Sequence, residues 1–248
     1  MNKKTTETST YSLSFGQQLR IAGVLLLLGG AGFAGVYWER NSLIKDVRFT
    51  GAYYTDKETL QSAVELPIGL HPDSVSFGEL MQAFQEQPYV KQTGVRVESG
   101  GRMVVDIEER EPLMLLTSGA EKRFVDREGV VMPWMLGKTI NVPILHGFRI
   151  PTNGEPLAGN EFRQIRDFLV AAKKSRLGWA TISEVGWGRE EGVMALSQEN
   201  GVKLIFGEGN FSEKIEYWDG FYESVVAEKG MQSFTVIDLR FRNQIVTR

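Results

Sequence analysis

The side chains best suited to catalysis or metal binding are few and widely spaced. The chain of 248 residues has two histidines, His71 and His146, and no cysteine. Neither histidine has a second ligand at a metal-site spacing such as i, i+4, and the lack of cysteine excludes disulfides, thiol catalysis and thiolate metal sites. Both histidines are therefore predicted to be structural or solvated, and the sequence predicts no metal and no cofactor.

An acidic run and a glycine-rich turn are the other candidates for chemistry. Residues 106–111 hold four carboxylates that could act in pairs. Strand alternation, however, places Asp106 and Glu108 on a solvated face. Residues 207–209, Gly-Glu-Gly, lack the lysine and the full spacing of a phosphate-binding loop and are more typical of a strand-to-helix turn. These patterns predict a protein that is not an enzyme and has no catalytic residues.

The longest uncharged apolar run, residues 21–38, predicts a transmembrane helix. As a helix it would be about 27 Å long, and it reaches across a hydrocarbon core of about 30 Å if Leu19, Tyr37 and Trp38 extend it to the interfaces. A cleaved signal peptide, with a cleavage site near residues 32–34, is the alternative. The long polar lead and the aromatic pair favour the anchor.

The charges around this run predict its orientation. Lys3, Lys4 and Arg20 outweigh Glu7, so the positive-inside rule predicts a cytoplasmic tail over residues 1–20 and a single-pass type II topology. Since the first 38 residues hold three of the 28 basic and one of the 31 acidic side chains, the exported remainder has a net charge of about −5. Such a surface does not favour nucleic-acid binding.

The exported part has two segments with different predicted secondary-structure patterns. Residues 45–112 follow the order strand, helix, helix, strand, strand, with capping boxes predicted at residues 55–58 and 76–79. A turn at residues 99–101 between alternating apolar residues predicts a hairpin. This segment is predicted to be a small β-α-α-β-β domain.

Residues 113–248 are predicted to form a mostly antiparallel β domain with two amphipathic helices. The first helix is predicted to be capped by Asn160 and the second by Ser212. The chain closes on two predicted strands, residues 234–241 and 244–247. The predicted fold class is therefore α+β, with one transmembrane helix before the two domains.

Six segments behind the anchor carry a resemblance to a known family. In order they are IKDVRFTGAYYTDKETLQSAVEL, QEQPYVKQTGVRVESGGRMVVDIEEREP, FVDREGVVMPW, VPILHG, GVKLIFGEGNFSEKIEYW and VIDLRFRNQIVTR. Taken together they resemble the bacterial cell-division family FtsQ, called DivIB in other bacteria, over nearly the whole chain. The resemblance implies that residues 45–112 are a polypeptide-transport-associated (POTRA) domain and that residues 113–248 are the family's β domain.

The resemblance also implies a function at the division septum. A member of this family would be a scaffold of the divisome in the inner membrane, with the bulk of its chain periplasmic. It would bind the partners FtsB and FtsL and link early division proteins to septal peptidoglycan synthesis, without a small-molecule substrate. The segments at both ends of the chain are short, which favours the shorter form of the family found in bacteria with two membranes.

The partner site implied by the resemblance lies in the last two predicted strands. An open sheet edge exposes N–H and C=O groups that another chain can pair with, and in this family the region captures FtsB by strand addition. The expected contacts are the side chains of Arg240, Phe241 and Asn243 and the backbone of Ile245, Val246 and Thr247. An ordinary final strand, covered within its own domain, is the alternative.

Other sites and functions remain open as alternatives. Residues 90–92, in a strand predicted to lie at an edge of the first domain, could form a second interaction surface. A POTRA-bearing envelope transport or assembly factor is the second functional class, although such factors carry several POTRA units before a barrel and this sequence predicts one. A periplasmic enzyme is the third, and it would need a pocket with converging polar groups and perturbed carboxylates.

Overall fold

A computed structural model of the chain describes residues 14–40, 43–135, 137–151 and 154–248. Most of the predicted cytoplasmic tail, with Lys3, Lys4 and Glu7, lies outside the described residues. The chain forms two compact units. The first contains the residues up to Gln85 together with Gln92–Ile107, and the second contains Glu86–Lys91 and Glu108–Arg248.

The predicted apolar helix is confirmed as one continuous helix, α1 (Phe15–Arg40). Its segment Phe15–Tyr37 is 23 residues long with a mean hydropathy of 1.9. At about 1.5 Å per residue this segment measures about 35 Å, which exceeds a hydrocarbon core of about 30 Å. The helix is thus long and apolar enough to cross a membrane, and it begins six residues before the apolar run itself.

The first unit has the predicted β-α-α-β-β order. After α1 its elements are β1 (Asp46–Thr50), α2 (Lys57–Ala63), α3 (Phe77–Gln85) and most of β2 (Val90–Glu98) and β3 (Arg102–Glu109). The strands form a sheet in the order β1-β3-β2, with β1 parallel to β3. Leu60 of α2 and Leu80 and Phe84 of α3 are buried, as the apolar spacing of each helix predicts.

The capping box predicted at residues 55–58 is not formed. Asp56 is the N-cap residue of α2, and its side chain makes no bond to a backbone N–H of the first turn. The carboxylate instead accepts a hydrogen bond from Thr59 Oγ1 at 3.1 Å. The acidic side chain still lies at the positive end of the helix dipole, so it favours the helix electrostatically rather than by capping.

The second unit is built on one large sheet. Its elements are β4 (Pro112–Ser118), β5 (Glu121–Asp126), β6 (Val131–Pro133), β7 (Ile144–Leu145), α4 (Asn160–Ala172), α5 (Arg176–Ala180), β8 (Ile182–Gly188), β9 (Gly192–Ser197), β10 (Lys203–Gly207), α6 (Phe211–Phe221), α7 (Ala227–Lys229), β11 (Val236–Asp238) and β12 (Val246–Thr247). Among the described residues the strand order is β12-β11-β10-β9-β8-β7-β4-β5-β6. Three of its neighbour pairs, β10 with β11, β4 with β7 and β7 with β8, are parallel.

One face of this sheet is covered by α4 and α6. The inward side chains of α4 are those that the helical spacing predicts, and all are buried: Phe162, Ile165, Phe168, Leu169 and Ala172. They meet alternate strand residues such as Val185, Leu204 and Phe206, and the rings of Phe168 and Phe206 lie 4.4 Å apart. Apolar burial of this extent is the main stabilising term of the unit.

Both predicted helix caps in the second unit are displaced by one or two residues. The N-cap of α4 is Gly159, and Asn160 is the first helical residue, whose Oδ1 accepts from the Arg163 guanidinium at 2.7 Å. The N-cap of α6 is Asn210, in the left-handed region with φ 50°, so Ser212 lies inside the helix. In both cases a residue that tolerates positive φ reverses the chain immediately before the helix.

A π-helical turn explains one wrong prediction about the core. The spacing after Trp218 and Tyr222 predicts Val225 on the inward face, but the buried residue is Val226. Residues Tyr222–Val226 form a π-helical turn between α6 and α7. Because a π turn holds more residues than an α turn, the inward face moves on by one position.

A hairpin joins β5 to β6, and a buried carboxylate organises it. Asp126 is 2% exposed, and its Oδ1 accepts from the backbone N–H groups of Glu128 and Val130 at 2.8 and 2.9 Å. Its Oδ2 accepts from the Arg110 guanidinium at 2.8 Å. Every oxygen of this buried charge is therefore hydrogen-bonded, which is the condition under which burial is tolerated.

Replacing Asp126 is expected to destabilise the second unit. The Asp126→Ala change removes the acceptor of the Glu128 and Val130 N–H groups and leaves the largely buried Arg110 with Glu128 as its remaining acceptor, at a cost of about 1–3 kcal/mol. Urea unfolding of the second unit checks it, with Glu121→Ala as the control because that carboxylate is half exposed. Equal free energies of unfolding for the two variants would contradict the role of Asp126.

Candidate partner-binding site

The last strand lies at an edge of the nine-stranded sheet. Its neighbour is β11, and on its other side it has no strand among the described residues. Both final strands are shorter than predicted, since β11 covers three residues and β12 covers two rather than the segments 234–241 and 244–247. The turn between them, with Asn243 at φ 57°, takes up the difference.

The register of this strand pair determines which backbone groups face outward. Arg248 N–H donates to the Val236 carbonyl at 3.0 Å, and the Arg248 carbonyl accepts from Val236 N–H at 3.3 Å, so these two residues form a hydrogen-bonded pair. Thr247 is opposite Ile237 and Val246 is opposite Asp238. In an antiparallel ladder such pairs alternate, so Val246 bonds inward. The N–H and C=O groups of Ile245 and Thr247 therefore point away from β11, towards the open edge.

Arg240 is held by a carboxylate at the end of β11. Its Nε and Nη2 lie 3.0 and 2.7 Å from the two oxygens of Asp238, which is buried. Burial raises the pKa of Asp238, but the hydrogen bonds and charge of Arg240 outweigh it and hold the pKa below its ordinary value. The same hydrogen bond raises the pKa of Arg240. The guanidinium is thereby fixed 5.8 Å from the centre of the Phe241 ring.

Breaking this ion pair is expected to loosen the turn that precedes β12. Asp238→Asn removes the charge that holds Arg240 and should cost about 1–2 kcal/mol, between the values for exposed and buried pairs. Because the pKa of Asp238 is lowered by folding, its contribution is present above the ordinary value of 3.8 and is lost as pH falls through the lower folded value. Hydrogen exchange of residues 240–247 checks this, and acid should abolish the difference between the variant and the parent chain.

Phe241 and Asn243 lie on the turn and differ in how they are engaged. Phe241 is 49% exposed, so its ring is available to a partner while the guanidinium lies beside it. Asn243 Oδ1 lies 3.3 Å from the hydroxyl oxygen of Tyr217 in α6, and the same hydroxyl donates to Glu213 at 2.7 Å. This contact between the turn and α6 gives no signal in the sequence, because the residues lie 26 positions apart.

The face of the sheet opposite the helices adds residues that sequence reasoning missed. Ile205 is opposite Met194 on one side and Asp238 on the other, and Asp238 is opposite Val246. These four residues form a strip across the last four strands, which continues into a shallow depression lined by His146, Glu184, Gly186, Met194, Leu196 and Lys203. The strip, hereafter the open-face strip, reaches the sheet edge at Val246.

The residues first considered for chemistry are engaged in local contacts. His71 Nδ1 accepts from the Asp73 N–H at 3.3 Å, and His146 Nε2 lies 2.7 Å from Glu184. Asp106 accepts from Thr50 at 2.5 Å and also bonds Arg96, while Glu108 lies 3.6 Å from Lys91. No group of three or more potential metal ligands occurs within the described part of the chain.

The other predicted surface is also at a strand edge. Residues 90–92 begin β2, which is an outer strand of the three-stranded sheet. Lys91 bonds Glu128 at 2.7 Å, and this bond raises the pKa of Lys91 and lowers that of Glu128. The lysine is thus committed to a partner within the chain, whereas Gln92 is exposed.

Comparisons with known proteins agree with the resemblance. Residues 111–248 match the family described as "FtsQ/DivIB, C-terminal related". The chain is 24% identical to cell division protein FtsQ of Salinibacter ruber over 97% of both chains. It is 25% identical to cell division protein FtsQ of Rhodothermus marinus over 85% of this chain and 79% of that one. The match covers more than half of the chain, including the whole of the edge described above, and this chain therefore belongs to the FtsQ/DivIB family of cell-division proteins.

Proposed function

We propose that this chain is a non-enzymatic scaffold of the division machinery that captures an FtsB partner by adding a strand to β12. The observation that carries the proposal is the register of the last strand pair. It leaves the N–H and C=O groups of Ile245 and Thr247 directed to an open edge. An edge of this kind is a template for another chain, since main-chain hydrogen bonds supply affinity without any particular sequence.

Side chains on both faces of the edge would supply the specificity. Alternate residues of an added strand would lie beside Val246 on the open-face strip, and the others beside Ile245 on the face of α6. Ile245 is partly buried against the core and Val246 is half-buried. An aromatic or aliphatic residue of the partner would be favoured at either position, with Phe241 as an exposed apolar contact at the turn.

The membrane helix fits this function because it would restrict the search for partners. We infer that α1 is a type II anchor, with the N-terminus cytoplasmic and both units in the periplasm, since the basic residues precede the apolar run. FtsB and FtsL are single-pass proteins of the same membrane, which raises their effective concentration and makes modest affinities sufficient. The first unit would then be the POTRA domain, and the complex would connect early division proteins to the septal synthases.

A titration with a Phe241 variant tests the proposal. The full chain is placed in lipid nanodiscs and titrated with the periplasmic segment of FtsB from the same organism. Phe241→Ala is expected to weaken binding by about 10-fold or more, as truncation of an exposed aromatic contact does at other interfaces. The matched control is Tyr53→Ala, since Tyr53 is 77% exposed and lies in the first unit.

Equal affinities for the parent chain and both variants would argue against the site. Deleting residues 235–248 is a poorer test, because Ile237 and Leu239 in that segment are 0% and 1% exposed and belong to the core of the second unit. In cells, a fluorescent tag on the N-terminus should form a mid-cell band. An even signal around the envelope, with normal division after depletion, would contradict the scaffold function itself.

A further inference from the structure

An exposed apolar patch lies at one end of the first unit. It consists of Leu43, Ile68 and Leu70, which are 44%, 57% and 50% exposed. Leu43 is distant in sequence from the other two, but the chain segments that carry them are joined. Ile44 N–H donates to the Leu70 carbonyl at 2.9 Å, and Gly69 N–H donates to the Ile44 carbonyl at 2.7 Å. The patch is therefore a fixed feature of the unit rather than a set of independent loop tips.

The same end of the unit includes the hairpin turn between β2 and β3. Lys45 N–H donates to the Gly101 carbonyl at 2.7 Å. Gly101 has φ 84°, and a Cβ atom there would lie 2.1 Å from the Leu43 carbonyl oxygen, so only glycine permits this approach. Two basic side chains, Lys45 and Arg102, are exposed beside the patch. Arg102 also forms an ion pair with Asp46, with 3.4 Å between its Nε and the Asp46 Oδ2.

The chain length before Leu43 limits how far this end can lie from a membrane. The apolar segment of α1 ends at Tyr37 and the helix itself at Arg40. From Arg40 to Leu43 the chain has three steps, which span at most about 11 Å. The polar layer of a bilayer is about 5–8 Å thick on each side of the hydrocarbon core. A tether this short keeps the end that carries the patch within or just above the headgroups.

We infer that Leu43, Ile68 and Leu70 seat the first unit on the outer surface of the membrane that α1 crosses. This inference rests on the membrane anchoring proposed above. Apolar side chains held at the headgroup layer lower their free energy by entering it. The tether has already restricted their translation, so little further entropy is lost. Lys45 suits the same surface, since a basic side chain can reach phosphate while its stem stays among apolar groups.

Because the chain contains no cysteine, single-cysteine variants of the full chain can test this directly. Ile68→Cys and Leu70→Cys are labelled with the environment-sensitive fluorophore NBD, in nanodiscs that hold one copy and contain lipids with a spin-label quencher near the headgroup. Both labels are expected to be blue-shifted and quenched. Tyr53→Cys is the exposed control, because it follows the opposite end of β1, and its label should stay unquenched.

A fourth variant separates failure of this inference from failure of the anchor. A label at Val24→Cys, within α1, is read in nanodiscs whose lipids carry the spin label on the acyl chain, and its quenching reports whether the helix crosses the bilayer. Quenching at position 24 with none at 68 and 70 would overturn the seating of the first unit and leave the anchor intact. No quenching at position 24 would overturn the anchor as well. A blue shift at 68 and 70 without quenching, seen only when two copies share a nanodisc, would assign the patch to a second chain and also overturn the inference.

Discussion

A chain carrying Thr247→Pro is expected to lose capture of the proposed FtsB partner while keeping its fold. Thr247 is opposite Ile237 in a pair that exchanges no hydrogen bonds, so its N–H faces the open edge. Proline removes that donor and places its ring where the added strand would approach. The Thr247 side chain is exposed, and Val246 before it is already in an extended strand, as a residue preceding proline requires.

The expected effect on affinity is large because the proline both removes a hydrogen bond and leaves its acceptor unpaired. One hydrogen bond disappears, and the partner's carbonyl is left without a donor at a site from which water is excluded, so affinity should fall by about 10- to 100-fold. Isothermal titration of the full chain in nanodiscs with the periplasmic FtsB segment measures it. Thr247→Ala is the matched control, since it shortens the side chain and keeps the backbone N–H. Equal losses for alanine and proline would contradict strand addition.

Two neighbouring prolines would show that the effect depends on the direction of the N–H group. Val246→Pro removes an inward donor and should release β12 from β11, with loss of both order and binding. Ile245→Pro removes an outward donor, but Ile245 also packs against the core, so part of its effect would be a loss of stability. Hydrogen exchange at residues 236–238 separates the three variants, since Thr247→Pro alone should leave protection there unchanged.

Much of the fold follows from local patterns in the sequence. The β-α-α-β-β order of the first unit, the inward face of α4 and the three-strand meander of β8, β9 and β10 are set by period-3.6 and period-2 spacing, which a sequence displays directly. The apolar helix is equally plain from length and composition. In each case the signal lies within one short stretch of consecutive residues.

Other features depend on contacts that no local pattern contains. Strand β7 has two residues and gains its place by pairing in parallel with β4 and β8, so its own sequence is uninformative. The π turn after α6 moves burial from Val225 to Val226, and an α-helical spacing cannot anticipate it. The cap positions differ because left-handed residues before the helices, Gly159 and Asn210, compete with serine and asparagine inside them.

The candidate site also combines features that the sequence predicts with features that it does not. The resemblance directs attention to residues 240–247, but the direction of each N–H follows only from the register of β11 and β12. The clamp of Asp238 on Arg240 joins residues two positions apart, but the open-face strip joins β10 to β11, which are far apart in sequence. Composition alone gives no means of finding this strip.

The second large effect is expected from Trp218→Ala in the core beneath the sheet. Trp218 is fully buried, and its ring packs against Phe221 and Tyr222 at centroid distances of 6.4 and 5.6 Å. Truncation of a buried tryptophan costs about 3–5 kcal/mol, which is a large part of the roughly 5–15 kcal/mol that holds a typical domain. Pulse proteolysis of the full chain in urea measures the free energy of unfolding of the second unit.

Trp218→Phe is the matched control, because it keeps an aromatic ring and removes the indole N–H that donates to Thr181 Oγ1 at 2.9 Å. The Thr181 hydroxyl still donates to the Leu177 carbonyl at 2.7 Å, so no buried donor is left unpaired, and the cost should be nearer 1–2 kcal/mol. If phenylalanine and alanine destabilise equally, packing is not the main role of this ring.

The tryptophan variants also show how loss of stability and loss of the binding edge can be told apart. Ile237 and Ile245 pack in the same core as Trp218, so Trp218→Ala should weaken partner capture by lowering the folded fraction. Binding to the folded state alone shifts that equilibrium back, so excess FtsB segment or a lower temperature should restore capture. Thr247→Pro leaves the folded fraction unchanged, and neither condition should rescue it. Rescue of both variants would place the partner site away from β12.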